Sequence, residues 1–363
     1  MVHTRRTLLS TLTAAVITGG CMSSDDPASF DPDDGRFRWR YKTDGQVTSS
    51  PVMHAGRVYV GSVDGYLRAL DAETGTLQWQ FETDDWIVSN PTVADDTIYF
   101  GSWDDNLYAV STDGSERWQF QTGDIVSSSP KISDGTVYVG SSDSVLYAVD
   151  ATDGTEQWTF RGRDRVTAAP LIDDETLYIG DAGNNVYALE AETGDQLWQY
   201  TADDESVSNA ASEAIYRRVT LAGDRLFFGS TNGYFYCLDR TDGSLNWSRA
   251  TGSDVQNVPT VWEDTVYFAS RTDTVYALNT DTGDVRWTND GPKTPLLCNP
   301  TLEEGIVYIG DRYGHLHALD AETGDHEWEF YADDAIQSQP LVAEDSVYFG
   351  SDDGHIYAIK REI

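Results

Sequence analysis

The sequence predicts an all-β chain: an eight-bladed β-propeller of four-stranded antiparallel blades. Three observations predict it. First, Trp39, Trp79, Trp118, Trp158, Trp198, Trp247, Trp287 and Trp328 recur at steps of 40, 39, 40, 40, 49, 40 and 41 residues. Second, Pro51, Pro91, Pro130, Pro170, Pro259, Pro300 and Pro340 keep the same beat, with Val219 at the one missing proline. A period near 40 with strand-like runs is the signature of a propeller blade. Third, the two ends of the repeat are complementary fragments. The last unit, Ile336 to Ile363, stops before its tryptophan strand, and the first tryptophan strand, Arg36 to Tyr41, has no unit in front of it. Pairing the two completes an eighth blade and removes a sheet edge.

One unit shows the elements in order. Val47 to Met53 reads as the first strand. Arg57 to Gly61 alternates β-branched and aromatic residues and reads as the second. Asp64-Gly65 is a tight hairpin turn. Tyr66 to Leu70 is the third strand, and Leu77 to Phe81 the fourth, with Asp71-Ala72-Glu73-Thr74-Gly75 turning between them. Equivalent glycine turns stand at Asn232-Gly233, Asp353-Gly354, Thr193-Gly194, Thr282-Gly283 and Thr323-Gly324. The eight repeat tryptophans read as packing groups that dock blade to blade, each contributing ~2–3 kcal/mol by burial.

Residues 1–21 differ from the rest. Arg5-Arg6 precede a short apolar run, Leu12 to Thr18, and then Gly19-Gly20-Cys21. The run is too short to span a bilayer. A charged start, an apolar middle and small residues at the end make an export signal. The paired arginines resemble a twin-arginine signal. Gly20-Cys21 resembles a lipoprotein cleavage site, with Thr18 departing from its usual pattern. Cys21 is the expected lipidation site, and residues 22–35 the expected acidic tether. The propeller is expected over 36–363. The expected place is the outer face of the cytoplasmic membrane.

Composition narrows the partners. The chain of 363 residues has 61 Asp and Glu against 24 Lys and Arg, a formal charge of −37. Four of the basic residues are lysine. Such a charge repels itself in dilute buffer and is screened at ~1 M salt, where the screening length is ~3 Å. This balance predicts a high-salt habitat. Nucleic-acid binding needs a basic stripe, and the sequence has none.

Ala69-Leu70-Asp71-Ala72-Glu73-Thr74-Gly75-Thr76-Leu77-Gln78-Trp79 resembles the A-x-D-x-x-T-G-x-x-x-W repeat of the pyrroloquinoline quinone (PQQ)-like propeller superfamily. Ala318 to Trp328 matches fully, and further copies end at Trp158, Trp198, Trp247 and Trp287 with one or two substitutions. Ala109 to Trp118 is one residue short. The resemblance covers 36–363. It implies one of two functions. The chain is similar in size and layout to the lipoprotein scaffold of outer-membrane β-barrel assembly, which implies a cofactor-free, monomeric, protein-binding module with envelope or extracellular partners. The other branch, the quinoprotein dehydrogenases, implies PQQ with calcium and oxidation of alcohols or sugars. Cys21, Cys237 and Cys298 include no adjacent pair like the disulfide many of those enzymes carry, and no calcium-ligand set maps onto this chain. The scaffold is the expected function, no catalytic residues are assigned, and a PQQ-dependent oxidoreductase is the alternative.

The first strand of each propeller blade lines the central channel, so the residues before the proline position are the candidate ligand-binding groups: Tyr216, Arg217, Arg218, Gln256, Asn257, Asn299, Gln337 and Gln339. Most are uncharged hydrogen-bonding groups. Blade five adds nine residues before its first strand and carries Tyr216-Arg217-Arg218, two arginines able to clamp a carboxylate or phosphate. The alternative is that they pair with Glu205 or Glu213. Cys237 stands at the alanine position of the repeat and reads as core. The six histidines share no metal-ligand spacing, and no metal site is assigned. His315 and His317 do alternate on one strand face, with His317 in place of the usual tyrosine, a pattern also compatible with a transition metal.

Overall fold

A computed structural model describes residues 30–202, 219–271, 273–290, 294–296 and 298–362. The described residues form eight four-stranded antiparallel sheets arranged as the sequence predicts. Blade one is typical. Its strands, from the channel outward, are Val52–His54, Arg57–Gly61, Tyr66–Asp71 and Leu77–Glu82. Blades two to seven repeat this order along the chain. In blade eight, Leu341–Ala343, Ser346–Gly350 and His355–Lys360 are completed by Phe37–Lys42 from the other end of the propeller. Trp39 pairs with Ala358 and Lys42 with His355 across that junction. The ring is closed by the N-terminal strand.

The innermost strand is shorter than the sequence suggests. It spans three residues, Val52–His54, and not Val47 to Met53. The reason lies in the hydrogen bonds. Pro51 has no N–H to give a ladder. The Val47 amide donates to Ser351 O of the preceding blade at 3.1 Å, and the Val63 amide donates back to Gln46 O at 2.9 Å. This stretch ties blades together and does not extend one blade's sheet.

The repeat tryptophan is a specific dock. Trp39 Nε1 donates to Ala72 O of blade one at 3.0 Å, and Tyr348 OH donates to the same carbonyl at 3.1 Å. A carbonyl has two lone pairs, so one backbone oxygen accepts both rings' donors. The pattern repeats with Trp118 and Tyr99 on Ala151 O, and with Trp287 and Tyr267 on Ala321 O. The glycine of each Thr-Gly turn lies under the ring. A Cβ on Gly75 would sit 2.6 Å from the Trp39 ring, and on Gly324 2.6 Å from that of Trp287. Both glycines also have left-handed backbones, with φ of 68° and 77°. The T-G and W of the motif are therefore one contact made across two blades. A bulge falls just before the tryptophan in each of blades one to seven, which bends the outer strand.

The closing seam differs. Among the described residues Trp328 meets no Thr-Gly turn. The Arg36 guanidinium lies 4.1 Å from its ring centroid, and Arg36 Nη1 donates to Arg361 O at 2.8 Å. A cation over an aromatic face takes the glycine's place. Residues 30–35, read from sequence as tether, lie against blade eight. Phe30 packs on Phe37, Phe330 and Tyr357 at ring distances of 5.1, 6.2 and 5.7 Å, with Arg40 over its face. The export signal, Cys21 and residues 22–29 lie outside the described residues.

Candidate functional site: the channel and its mouth

The channel wall comes from the segment before each proline. Alternation along an extended chain sends neighbouring residues to opposite sides. In blades one and three the first residue of the pair turns toward the next blade. Ser49 Oγ donates to Ser89 O at 2.8 Å, and Ser128 Oγ to Ala168 O at 2.9 Å. The second residue accepts from the blade before it. Ser50 N donates to Asn90 Oδ1 at 2.7 Å, Asn90 N to Ser129 Oγ at 3.0 Å, and Gln339 N to Ser50 Oγ at 2.9 Å. The last of these crosses the ring closure. A belt of hydrogen bonds thus runs from blade six through the closure to blade three and consumes many of the channel's polar groups.

This belt sorts the sequence candidates. Gln256, Asn299, Gln337 and Gln339 line a channel cavity of about 840 Å³. Asn257 does not line it. It is 5% exposed, and its Nδ2 donates to Cys298 O in the next blade. Asn299 does both jobs: its Oδ1 accepts from Val258 N at 2.8 Å. Tyr216, Arg217 and Arg218, with most of the blade-five insertion, lie outside the described residues. Cys237 and Cys298 are buried and unbridged. Burial pushes the Cys237 thiol up to about 12, so it is inert core. Cys298 Sγ accepts from Gly310 N at 2.7 Å, where other blades use a serine hydroxyl.

The mouth holds groups that the repeat did not point to. Trp86 and Trp103 fall off the 40-residue beat. Their rings stack at 4.6 Å and 31°, and Trp103 N donates to Trp86 O at 2.9 Å. Trp103 lines the cavity, and its Nε1 is buried with no hydrogen-bond partner among the described residues. Gln337 Nε2 donates to Asp352 Oδ2 at 2.6 Å. Burial pushes the Asp352 carboxyl above its usual range, against the Gln337 hydrogen bond, and its Oδ1 has no partner among the described residues. Arg271 Nη1 lies 3.8 Å from Asp254 Oδ2. The only sequence signal for the tryptophan pair was its departure from the period.

Among the described lining residues Asp254 is the one carboxylate, and it faces Arg271. Calcium takes roughly six to eight oxygen ligands, with carboxylates prominent among them. The described lining supplies one carboxylate toward such a ligand set. Its residues fit hydrogen bonding and aromatic contact.

The fold and this belt define the class: a closed PQQ-like β-propeller. Matches at residues 22–87, 83–215, 212–302 and 293–363 to the family described as outer membrane protein assembly factor BamB cover nearly the whole chain, and the chain belongs to that family. A curated relative, outer membrane protein assembly factor BamB of Shewanella oneidensis, is 28% identical over 87 residues. That alignment spans 24% of this chain and 22% of the relative. Among solved structures, BamB from Moraxella catarrhalis superposes with a TM-score of 0.80 at 22% identity, covering 89% of this chain and 99% of that one. Quinohemoprotein alcohol dehydrogenase from Comamonas testosteroni superposes at 0.75 and 15% identity, covering 89% of this chain and 76% of that one. These likenesses establish the fold.

Proposed function

We propose that this propeller is a protein-binding scaffold at the cell envelope, exported by residues 1–21 and held to the outer face of the cytoplasmic membrane by a lipid on Cys21. The observation that carries the reading is the channel mouth. The half-buried Trp86–Trp103 pair presents aromatic area at the cavity, which Trp103 lines. Aromatic groups with a polar handle are what protein interfaces favour as anchors. The name of the family is consistent with a role in envelope assembly. The charge of −37 fits a salty medium, where it is screened. Arg217 and Arg218 supply a second contact on this reading, clamping a carboxylate of the partner.

The test is crosslinking in native membranes at high salt, wild type against Trp86→Ala/Trp103→Ala. The wild type is expected to crosslink one discrete protein and the double variant to lose it, with its melting unchanged. An identical crosslink pattern overturns the docking face. Cys21→Ser is expected to leave the membrane fraction; retention overturns the anchor. The second reading, a PQQ-dependent oxidoreductase, is favoured by the likeness to the alcohol dehydrogenase fold. Soaking with the quinone and calcium, followed by its absorption spectrum and dye reduction, decides it.

A further inference from the structure

We propose that blade seven holds one transition-metal ion of the zinc or nickel class between Asp311, His315 and His317. Asp311 directly follows the second strand of that blade, Ile306–Gly310, and His315–Asp320 is the third. His315 Nδ1 lies 3.0 Å from Asp311 Oδ2, and His317 Nε2 lies 3.3 Å from the same oxygen. The three donor atoms all fall within 4.8 Å of one another. Zinc holds nitrogen and oxygen ligands at ~2.0–2.2 Å, which sets adjacent donors of a tetrahedron ~3.3–3.6 Å apart. The two imidazole–carboxylate distances already lie close to those edges, and the two imidazole nitrogens lie within 4.8 Å of each other.

The surroundings are those of a supported ligand set. Asp311 is fully buried, and its Oδ1 accepts from Tyr313 N at 2.8 Å and His315 N at 2.9 Å. Those amides turn Oδ2 toward the imidazoles. Thr294 Oγ1 donates to Oδ2 at 2.5 Å. Behind His317, its Nδ1 faces Glu329 Oε2 at 3.8 Å, and His326 Nε2 faces the same atom at 3.7 Å. Tyr331 OH donates to Glu329. Glu329 thus stands, at ion-pair distance, on the side where a carboxylate at the far nitrogen of a ligating histidine fixes its orientation and raises its basicity. The His315 side chain is 21% exposed, so an ion has a route in. Three protein donors leave a position for water or an outside ligand, the format of an open site.

The cluster is also peculiar to this blade. At the position of His317 stand Tyr108, Tyr147, Tyr187, Tyr236, Tyr276 and Tyr357 in six others. In blade four the same buried aspartate is satisfied by an asparagine and a tyrosine, which need no ion. Imidazole nitrogens suit zinc, nickel or copper, whereas calcium prefers oxygen alone. The competing account is a hydrogen-bonded carboxylate–imidazole cluster with no ion.

The experiment strips the full chain with chelator at the salt concentration where it is folded. Zinc, nickel and calcium are then titrated in turn by calorimetry. The expected result is one zinc or nickel per chain, a higher melting temperature with zinc, and no displacement by excess calcium. His317→Tyr and His315→Asn install the residues of blade four, so both are expected to melt near the metal-free wild type. Each is expected to weaken zinc binding by about 100-fold or more. Zinc binding in both folded variants equal to wild type, or displacement of zinc by calcium at similar concentration, overturns the site. If His317→Tyr fails to fold, His315→Asn alone carries the test.

Discussion

Blades four and seven bury the same residue at the same place and satisfy it by different chemistry. Asp181 and Asp311 are both fully buried directly after the second strand. Asp181 Oδ1 accepts from Gly183 N, Asn185 N and Asn185 Nδ2 at 2.9, 3.0 and 2.9 Å. Its Oδ2 accepts from Arg163 N at 3.0 Å and Tyr187 OH at 2.8 Å. Every donor there is neutral and fixed. Asp311 instead faces two imidazoles and a threonine hydroxyl. Burial pushes the Asp311 carboxyl up, but the hydrogen bonds from His315, His317 and Thr294 hold it well below the usual range.

The seams in front of these blades differ in step. Phe160 of blade three packs edge-on against Tyr187 at 5.0 Å. The residue two after the tryptophan in blade six is Asn289, whose Nδ2 donates to Gly324 O at 2.6 Å. In place of an aromatic pair, a polar residue stands on each side of this seam, Asn289 and His317. The lesson is that a repeat position is not a site by itself. Arg249 of blade five is polar at the same position and donates to Gly283 O, yet blade six keeps Tyr276, so the aromatic is missing from both sides only at the seam of blades six and seven.

The largest test asks whether the tryptophan docks remain equal. Trp158 Nε1 and Trp287 Nε1 reach the next blade's carbonyl at 3.2 and 3.0 Å. Trp158→Ala and Trp287→Ala are each expected to cost ~3–5 kcal/mol in denaturant unfolding. A cost for Trp287 under half that for Trp158 would mean that the whole seam, and not the cluster alone, has diverged.

A smaller effect separates the aspartates. Serine stands at this position in the other six blades. Asp181→Ser strands several fixed donors and is expected to cost about 2–3 kcal/mol. Asp311→Ser strands two amides and the buried Thr294 and His317 donors, with the partly exposed His315 able to find water and the serine hydroxyl able to take one amide, and is expected to cost about 1–2 kcal/mol. Chemical denaturation of metal-free protein checks the order, and a reversed order breaks the comparison.

Restoring the aromatic pair sharpens it further. Asn289→Phe with His317→Tyr is expected to stabilise by about 0.5–1.5 kcal/mol beyond the single changes. A double-mutant cycle measures that coupling directly. Additive single effects would show that the two positions are independent.

The smallest effect uses Asp352 as an outside reference, a half-buried carboxylate whose buried Oδ1 has no donor among the described residues. Its folded titration is raised by burial, with Asp334 and Asp353 adding to the rise and Gln337 opposing it. A raised acid costs stability above its folded titration, and that cost disappears below the unfolded range near pH 4. Asp352→Asn is therefore expected to raise the melting temperature slightly at pH 7 and to leave it unchanged near pH 3. An equal gain at both pH values would remove ionisation as the cause.

Much of this was legible in the chain. The period of Trp39 to Trp328, the Thr-Gly turns and the unmatched ends name the blades and their closure. Gln256, Asn299, Gln337 and Gln339 were placed on the channel by position alone. Asn257 was misread as a mouth residue because its neighbour Asn299, at the next offset in the following blade, looks the same in sequence. Trp86 and Trp103 went unnoticed because an aromatic off the beat reads as ordinary surface. The ends of the inner strand were too long because pairing within a blade and pairing between blades use the same extended residues.

The sequence by itself determined the number of blades, the turn glycines and the ring closure. Those features follow from periodic, local patterns that each unit states again. The tertiary structure decided which polar groups are consumed by the belt, which reach the channel, and how Asp311 comes to face two imidazoles with Thr294 and Glu329 around them. These outcomes depend on how one wedge packs on the next, and that contact joins residues from separate strands and loops whose side-chain directions no single repeat specifies.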